Sequence, residues 1–377
     1  MSNIIPVAFN LQSEDETRKI GSGDAEFTVI LKKPISKSEL ITSTSLALGE
    51  AYMRGDMEVD KDLYEVLNLF LGEMGKFTTN KSKLHSLLYT ATSKVNQKKE
   101  VTSHYDIGND FYSLWLDETM NYSCGYFKEE NNTLYEAQMN KIHHILDKLH
   151  LESGMTLLDI GCGWGALLIE AAKKYQVKGT GITLSKEQHD KFKERILEEK
   201  LEKLLNVEIM DYRDLSNSDL QFDRVVSVGM LEHVGRDNYD LFLKNVHHVL
   251  KDKGVFLLHS ITAMKEHPGD AWIKKYIFPG GTIPSFRELI QILPEYQFYT
   301  LDVESLRRHY NRTLLCWRSR FLEHKMEIVK MMGEEFTRMW ELYLTSCAAT
   351  FNNGIIDLHQ ILVTKGVANE LPMTRVV

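Results

Sequence analysis

The stretch Leu157-Leu158-Asp159-Ile160-Gly161-Cys162-Gly163-Trp164-Gly165 carries the clearest chemistry in this 377-residue chain. An apolar run ends in an aspartate, and three glycines follow at alternate positions. Glycine has no Cβ, so such a loop turns tightly and lets a ligand lie against bare backbone. A phosphate loop of the form G-x-x-x-x-G-K-[ST] is absent. The dinucleotide pattern G-x-G-x-x-G does not fit either. The loop reads G-x-G-x-G, and the next apolar run ends in Gly181-Ile182-Thr183-Leu184-Ser185 with no acid to hold a ribose. Further along, Glu232 and His233 follow one apolar run and His259 ends another. Taken singly these residues have plainer readings: Cys124 as a small buried hydrophobe, Glu232 as an acid at a helix start, His259 as a core histidine, Tyr310 as packing.

Rigid elements must position these groups, and the apolar patterning predicts them. TLLDI (156–160), VKGTGI (177–182), NVEIM (206–210), FDRVVSV (222–228) and GVFLLHSI (254–261) read as strands. They alternate with helical patterns over 165–175, 185–199 and 237–250. Short connections between alternating strands and helices predict a doubly wound, mostly parallel α/β sheet covered on both faces. The glycine loop then lies at the carboxyl end of its first strand, where open α/β sheets take ligands. QFYTLDV (297–303) and DLHQILVTK (357–365) are candidate further strands, with amphipathic helices over 311–332 and 334–350 between them. The Pro-, Gly- and aromatic-rich segment 262–300 predicts an ordered flap, whose Lys274 and Lys275 offer an alternative surface contact. Residues 1–75 predict a small α+β domain, with a strand at 27–33 and helices at 37–54 and 60–74. A basic linker with Lys81, Lys83, Lys94, Lys98 and Lys99 follows at 76–100, and 101–377 forms the main domain.

The D-x-G-x-G-x-G form of the loop resembles motif I of class I methyltransferases, which use S-adenosylmethionine. HYDIGNDFYSLWLDETMNYSCGYF (104–127), LLDIGCGWG (157–165), GITLSKEQ (181–188), DYRDL (211–215), MLEHVG (230–235), HSI (259–261) and HYNRTLLCW (309–317) occur in this order. Together they closely resemble cyclopropane fatty acid synthases, over residues 100–377 and more loosely in the N-terminal domain. The resemblance implies a Rossmann-like class I methyltransferase fold with inserted lid helices and a lipid-binding N-terminal domain. It implies conversion of a cis double bond in a phospholipid acyl chain to a cyclopropane, with the methyl carbon of S-adenosylmethionine as the added atom and S-adenosylhomocysteine as product. Carried over motif by motif, the cofactor contacts are Tyr122, Ser123, Gly161, Gly163, Thr183, Leu184, Gln188, Asp211, Tyr212, Val228 and His233.

An alkene is a poor nucleophile, so this chemistry depends on holding the π bond in line with the methyl carbon. Such positioning is equivalent to effective molarities of roughly 10⁵–10⁸ M. Water must be kept from the carbocation that methyl transfer leaves. A base must then remove a proton so that the ring closes. The resemblance implies that this base is a bound bicarbonate ion. Cys124 and Ile261 would act on it through backbone groups, His259 and Tyr310 would donate hydrogen bonds, and Glu232 would accept from its hydroxyl. A carboxylate beside an anion repels it unless a proton lies between them. Tyr105, Phe111, Tyr112 and Trp115 are candidate aromatic faces for the cation. Cys347, in LTSCAATF (344–351), matches a cysteine considered as a nucleophile in this family; the chemistry needs none, and a structural role is expected.

Composition bounds the partners. The chain is 43% hydrophobic and 26% charged with 7 Pro, which excludes collagen-like, disordered and low-complexity classes. A net charge of −8 argues against a generic nucleic-acid binder. Four cysteines without a C-x-x-C pair or zinc spacing predict no metal site and no disulfide framework. No apolar run reaches the ~18–20 residues of a membrane span, and the N-terminus lacks the pattern of a signal peptide. The expected setting is cytoplasmic, peripheral at the inner membrane face, on phospholipids with unsaturated acyl chains; the resemblance implies a homodimer. A methyl-branched fatty acid product, a small-molecule N-methyltransferase and a non-catalytic lipid binder are the competing readings.

Overall fold

The computed structural model describes residues 7–14, 16–74 and 107–374, in two compact units. The linker expected at 76–100 lies outside them. The first unit draws on the N-terminal region, Gly269–Pro279 and Tyr310–Ile356; the second takes in the remainder, Gly280–His309 included. Sequence order alone does not predict this discontinuous grouping.

The N-terminal region begins with β1 (Phe9–Gln12), β2 (Thr17–Ile20) and β3 (Thr28–Leu31), followed by α1 (Lys37–Thr42), α2 (Thr44–Met53), β4 (Met57–Val59) and α3 (Leu63–Met74). The strand order is β2-β1-β3-β4. Val7, Phe27 and Val66 form its buried centre, with the Phe9 ring stacked on Phe27 at 5.4 Å. The single helix expected over 37–54 is two. Ser43 has extended backbone, and its hydroxyl accepts the Leu46 N–H as the cap of α2. Serine favours such caps because its oxygen satisfies an N–H that has no partner in the first helical turn.

The second unit contains α4 (Asn109–Trp115), α5 (Leu134–Lys148), β5 (Thr156–Ile160), α6 (Ala166–Tyr175), β6 (Lys178–Thr183), α7 (Lys186–Glu198), β7 (Leu205–Ile209), β8 (Phe222–Val228), α8 (Tyr239–Val249) and β9 (Leu250–Ala263). After α9 (Ala271–Tyr276), which belongs to the first unit, come α10 (Phe286–Ile292) and β10 (Phe298–Ser305). The flap expected over 262–300 is therefore divided between the units. The chain ends with α11 (Arg307–Glu323), α12 (Lys325–Met332), α13 (Glu334–Asn352) and β11 (Ile356–Lys365). His324 interrupts the helix expected over 311–332.

The seven-stranded sheet has the order β10-β11-β9-β8-β5-β6-β7. Strands β9, β8, β5, β6 and β7 pair in parallel, and β10 is antiparallel to β11. Neighbouring strand residues face opposite sides, and both sides are buried. Leu157, Val226 and Leu257 pack with Ile145 of α5, Leu168 of α6 and Phe192 of α7. Leu158, Val225 and Leu258 pack with Phe242 and Val246 of α8 and Leu289 of α10. Each fully buried side chain of this kind stabilises by roughly 1.5–3 kcal/mol. The chain crosses over between β5 and β8, so a crevice opens at their carboxyl ends.

In the first unit α13 packs on α3 and α2. Trp272 of α9 is buried against α2; a Cβ on Gly49 would collide with its ring. Lys275, expected as a surface contact, is paired with Glu50 at 2.6 Å.

Candidate active site

A cavity lies at the carboxyl ends of β5, β6 and β8. The glycine loop forms part of it. Gly161 and Cys162 donate their N–H groups to the Ile182 carbonyl at 2.9 and 3.1 Å, tying the loop to β6. Gly163 has φ +54° and open space where a side chain would stand, so a ligand can meet the backbone there. Gly165 has φ +83°, and a Cβ would collide with the Phe192 ring, so α6 can start this close to α7 only with glycine.

At the end of β6, Thr183 Oγ1 donates to Gln188 Oε1 at 2.8 Å and accepts the Ser185 N–H at 3.2 Å. The Gln188 amide NH2 is thereby turned away from Thr183. Thr183, Leu184 and Gln188 all line the cavity, as do Gly161, Gly163, Tyr212, Val228 and His233. Asp211 does not. It caps the turn Tyr212–Asn217 by accepting the Arg213 N–H at 2.9 Å. Burial pushes the His233 imidazole down to about 4, so it is neutral near pH 7.

Tyr122 and Ser123 form part of the opposite wall. Two side chains of α5 hold this segment. Gln138 donates to the Ser123 carbonyl at 2.8 Å, and Lys141 Nζ donates to Asn121 Oδ1 at 3.0 Å and Ser123 Oγ at 2.9 Å. Lys141 is 2% exposed, and burial pushes its ammonium down to about 8. Burial pushes the Asp159 carboxyl up to about 7, with Lys141 opposing, and Asp159 Oδ1 is buried without a hydrogen-bond partner. An unsatisfied buried group costs about 1–3 kcal/mol, so this oxygen is suited to a ligand's ammonium. Tyr112 and Trp115 pack on Tyr122 at 5.6 and 5.3 Å, and Phe111 lies behind them; Tyr105 lies outside the described residues.

The parallel register of β8 and β9 sets Val228 beside His259, and Gly229 N–H donates to the His259 carbonyl at 2.9 Å. Two residues on, Ile261 N–H donates to Glu232 Oε1 at 2.6 Å. This N–H is thus committed to the carboxylate rather than free for an anion. Glu232 Oε2 and His259 Nε2 are both buried without a hydrogen-bond partner. Burial pushes the Glu232 carboxyl up to about 7, with the Ile261 hydrogen bond opposing. Burial pushes His259 well below the usual imidazole range, with Lys141 and Lys148 adding to the effect. Cys124 is fully buried, its thiol donating to the Gly125 carbonyl at 3.2 Å. Tyr310 and Cys347 belong to the first unit. The Tyr310 ring packs on Phe351 at 4.6 Å, and burial pushes the Cys347 thiol up to about 12.

A family model described as mycolic acid cyclopropane synthetase matches residues 92–361. This chain belongs to that family. A second model, a domain of unknown function, matches residues 2–82. The cyclopropane-fatty-acyl-phospholipid synthase of Escherichia coli K12 is 38% identical over 366 residues, 94% of this chain and 92% of that protein. A protein of Pseudomonas putida named probable fatty acid methyltransferase is 37% identical over 360 residues, 93% of this chain and 91% of that one. The crystal structure of mycolic acid cyclopropane synthase CmaA1 complexed with SAH and CTAB superposes with a TM-score of 0.67 at 37% identity, covering 71% of this chain and 98% of that one. The family expected from the motifs is the family found, and the sheet is that of a class I methyltransferase. The chain is an S-adenosylmethionine-dependent methyltransferase of the cyclopropane synthases.

Reading the motifs missed Lys141 and Gln138, and assigned no role to Asp159. A signal was present. Gln138, Lys141, His144 and Lys148 recur at helical spacing on α5, and all four are buried. Polar residues on the inward face of an amphipathic helix call for polar partners.

Proposed function

We propose that this cyclopropane synthase acts on cis-unsaturated acyl chains of phospholipids and that bicarbonate is its base. Membership of the family and the similarity to the Escherichia coli enzyme support the substrate class. The observation that carries the base is the pair of buried, unpartnered atoms Glu232 Oε2 and His259 Nε2. One can accept from a bicarbonate hydroxyl and the other can donate to its oxygens. A neutral His259 and a Glu232 carboxylate held by Ile261 N–H fit such an ion. Bound, S-adenosylmethionine supplies the methyl carbon, and bicarbonate takes the proton released on ring closure.

The chain's own residues do the rest. Asp159 is suited to the cofactor's ammonium, Lys141 and Ser123 to its carboxylate, and Gln188 to its ribose hydroxyls. Ile261 acts by aiming Glu232. Cys124 is proposed as a backbone partner of the anion on family resemblance; the same resemblance implies Tyr310, which belongs to the first unit. Cys347, with its thiol held protonated, is assigned a structural role. Tyr112 and Trp115 back the Tyr122 wall and do not themselves line the cavity. The N-terminal domain is proposed to hold lipid, and a homodimer docked on the inner membrane face is the proposed working form. Among the described residues no helix is long and apolar enough to cross a membrane.

The test is to incubate the protein with S-adenosylmethionine and vesicles of cis-unsaturated phospholipid, then fragment the released acyl chains. Gain of one CH2 with loss of the alkene supports ring formation. The similarity to the Pseudomonas putida protein favours a second reading, methyl transfer without ring closure. A chain that gains CH2 and, with a reductant, two further hydrogens would establish it. Unchanged lipid despite cofactor binding would contradict both.

A further inference from the structure

His259 is reached by a buried polar chain of residues that do not line the cofactor cavity. Lys148 Nζ lies 2.5 Å from Glu304 Oε2 and 3.4 Å from Asp302 Oδ2. Burial would raise the Glu304 carboxyl, but hydrogen bonds from His144 and Lys148 outweigh it and hold it down at about 2. The same Nζ lies 2.9 Å from the Gln360 side chain, and the other end of that amide lies 3.2 Å from His259 Nδ1. Lys148, Gln360 and His259 are each no more than 2% exposed.

Donor chemistry orients the chain. An ammonium has only N–H groups to offer, so the amide atom facing Lys148 is the oxygen. The amide nitrogen then faces His259, and it can only donate. His259 Nδ1 must therefore be the bare, accepting nitrogen, and in the neutral ring the proton sits on Nε2. That is the atom left buried and without a partner.

We infer that Gln360, oriented by Lys148, is a positioning residue that fixes His259 as its Nε2–H tautomer, so that the ring presents a donor where an anion is to bind. The assignment rests on the proposed bicarbonate reading for its purpose but not for its geometry. Glutamine suits the task because it donates without adding charge. A carboxylate at the same place would accept from Nδ1 and turn Nε2 into an acceptor, which repels an anion.

The experiment uses the full chain labelled with 15N-histidine, with His259 resonances assigned by their loss in His259→Gln. Two-bond proton–nitrogen correlations report which ring nitrogen carries the proton. The expected wild-type pattern is Nε2–H alone. Gln360→Glu is expected to move the proton to Nδ1 or to protonate both nitrogens. Gln360→Met, close in volume, is expected to give averaged nitrogen shifts from two exchanging tautomers. A wild-type Nδ1–H pattern, or an Nε2–H pattern unchanged in both variants, overturns the inference. Titration of the wild type with bicarbonate separates the two levels. If Nε2–H is present but its shift ignores bicarbonate, the anion reading fails while the tautomer assignment stands.

Discussion

Glu232 and Lys141 are both buried ionisable groups, and burial pushes each toward its neutral form. The Glu232 carboxyl has an ordinary value of 4.5 and is pushed up to about 7 in the fold. Below about 4.5 both folded and unfolded chains hold that proton; between 4.5 and 7 only the folded chain does. This group's contribution therefore falls as pH rises through that window and is lost above it. Glu232→Gln removes the fall, so the variant should gain stability over wild type, by at most about 3 kcal/mol above pH 7. Denaturant titrations of both proteins at pH 5 and pH 8 check this; a difference independent of pH would contradict it. Lys141 has another task, donating to Asn121 and Ser123. Lys141→Met removes those charged hydrogen bonds, each worth about 1.5–3 kcal/mol. S-adenosylhomocysteine binding should weaken by roughly tenfold or more, measured by calorimetry. The motifs singled out Glu232 but not its raised pKa, and they missed Lys141 altogether, because both depend on burial and on partners about 20 or 30 positions away. The glycines, by contrast, were legible, since their spacing alone demands a turn against a ligand.

Among elements, the five parallel strands were legible because both sheet faces are buried and their sequences are short apolar runs. β1, β2 and β4 were not: TRKI of β2 is mostly exposed, and the four residues carry no apolar alternation. The breaks at Ser43 and His324 were missed for a related reason. The apolar spacing continues across them, and only the local backbone shows the interruption. The start of α6 is the most demanding element boundary. Gly165→Ala meets both a left-handed backbone and the Phe192 ring. It should cost about 1–3 kcal/mol or more and weaken cofactor binding with it. A melting temperature and an S-adenosylhomocysteine titration check both parts. An unchanged melting temperature would mean that α6 and α7 can separate at little cost. Gln360 lies at the far end of the legible scale. It sits on β11, 101 positions from its His259 partner and 212 from Lys148, so only the sheet order brings the three together.

At the scale of the whole molecule, the chain divides into units that do not follow sequence order. α9 and α13 join the N-terminal elements, and Trp272 of α9 is buried there beside Gly49. Trp272→Ala should destabilise the protein by roughly 3–5 kcal/mol, seen as a lower melting temperature in calorimetry. An unshifted transition would show that the packing of Trp272 contributes little. The order of the seven motifs made the family legible; LLDIGCGWG, GITLSKEQ, DYRDL, MLEHVG and HSI fall at or just past strand ends, whereas HYNRTLLCW lies within α11. The proposed function turns on the buried Glu232 and His259 atoms holding the base for ring closure. The most direct measurement is the rate of cyclopropane formation in buffer stripped of carbon dioxide, with and without added bicarbonate, for wild type and Glu232→Gln. The account predicts a wild-type rate that falls on stripping and returns with bicarbonate. It predicts a Glu232→Gln rate lower by roughly 10²-fold that bicarbonate does not restore, with cofactor binding unchanged. A wild-type rate indifferent to bicarbonate would contradict it.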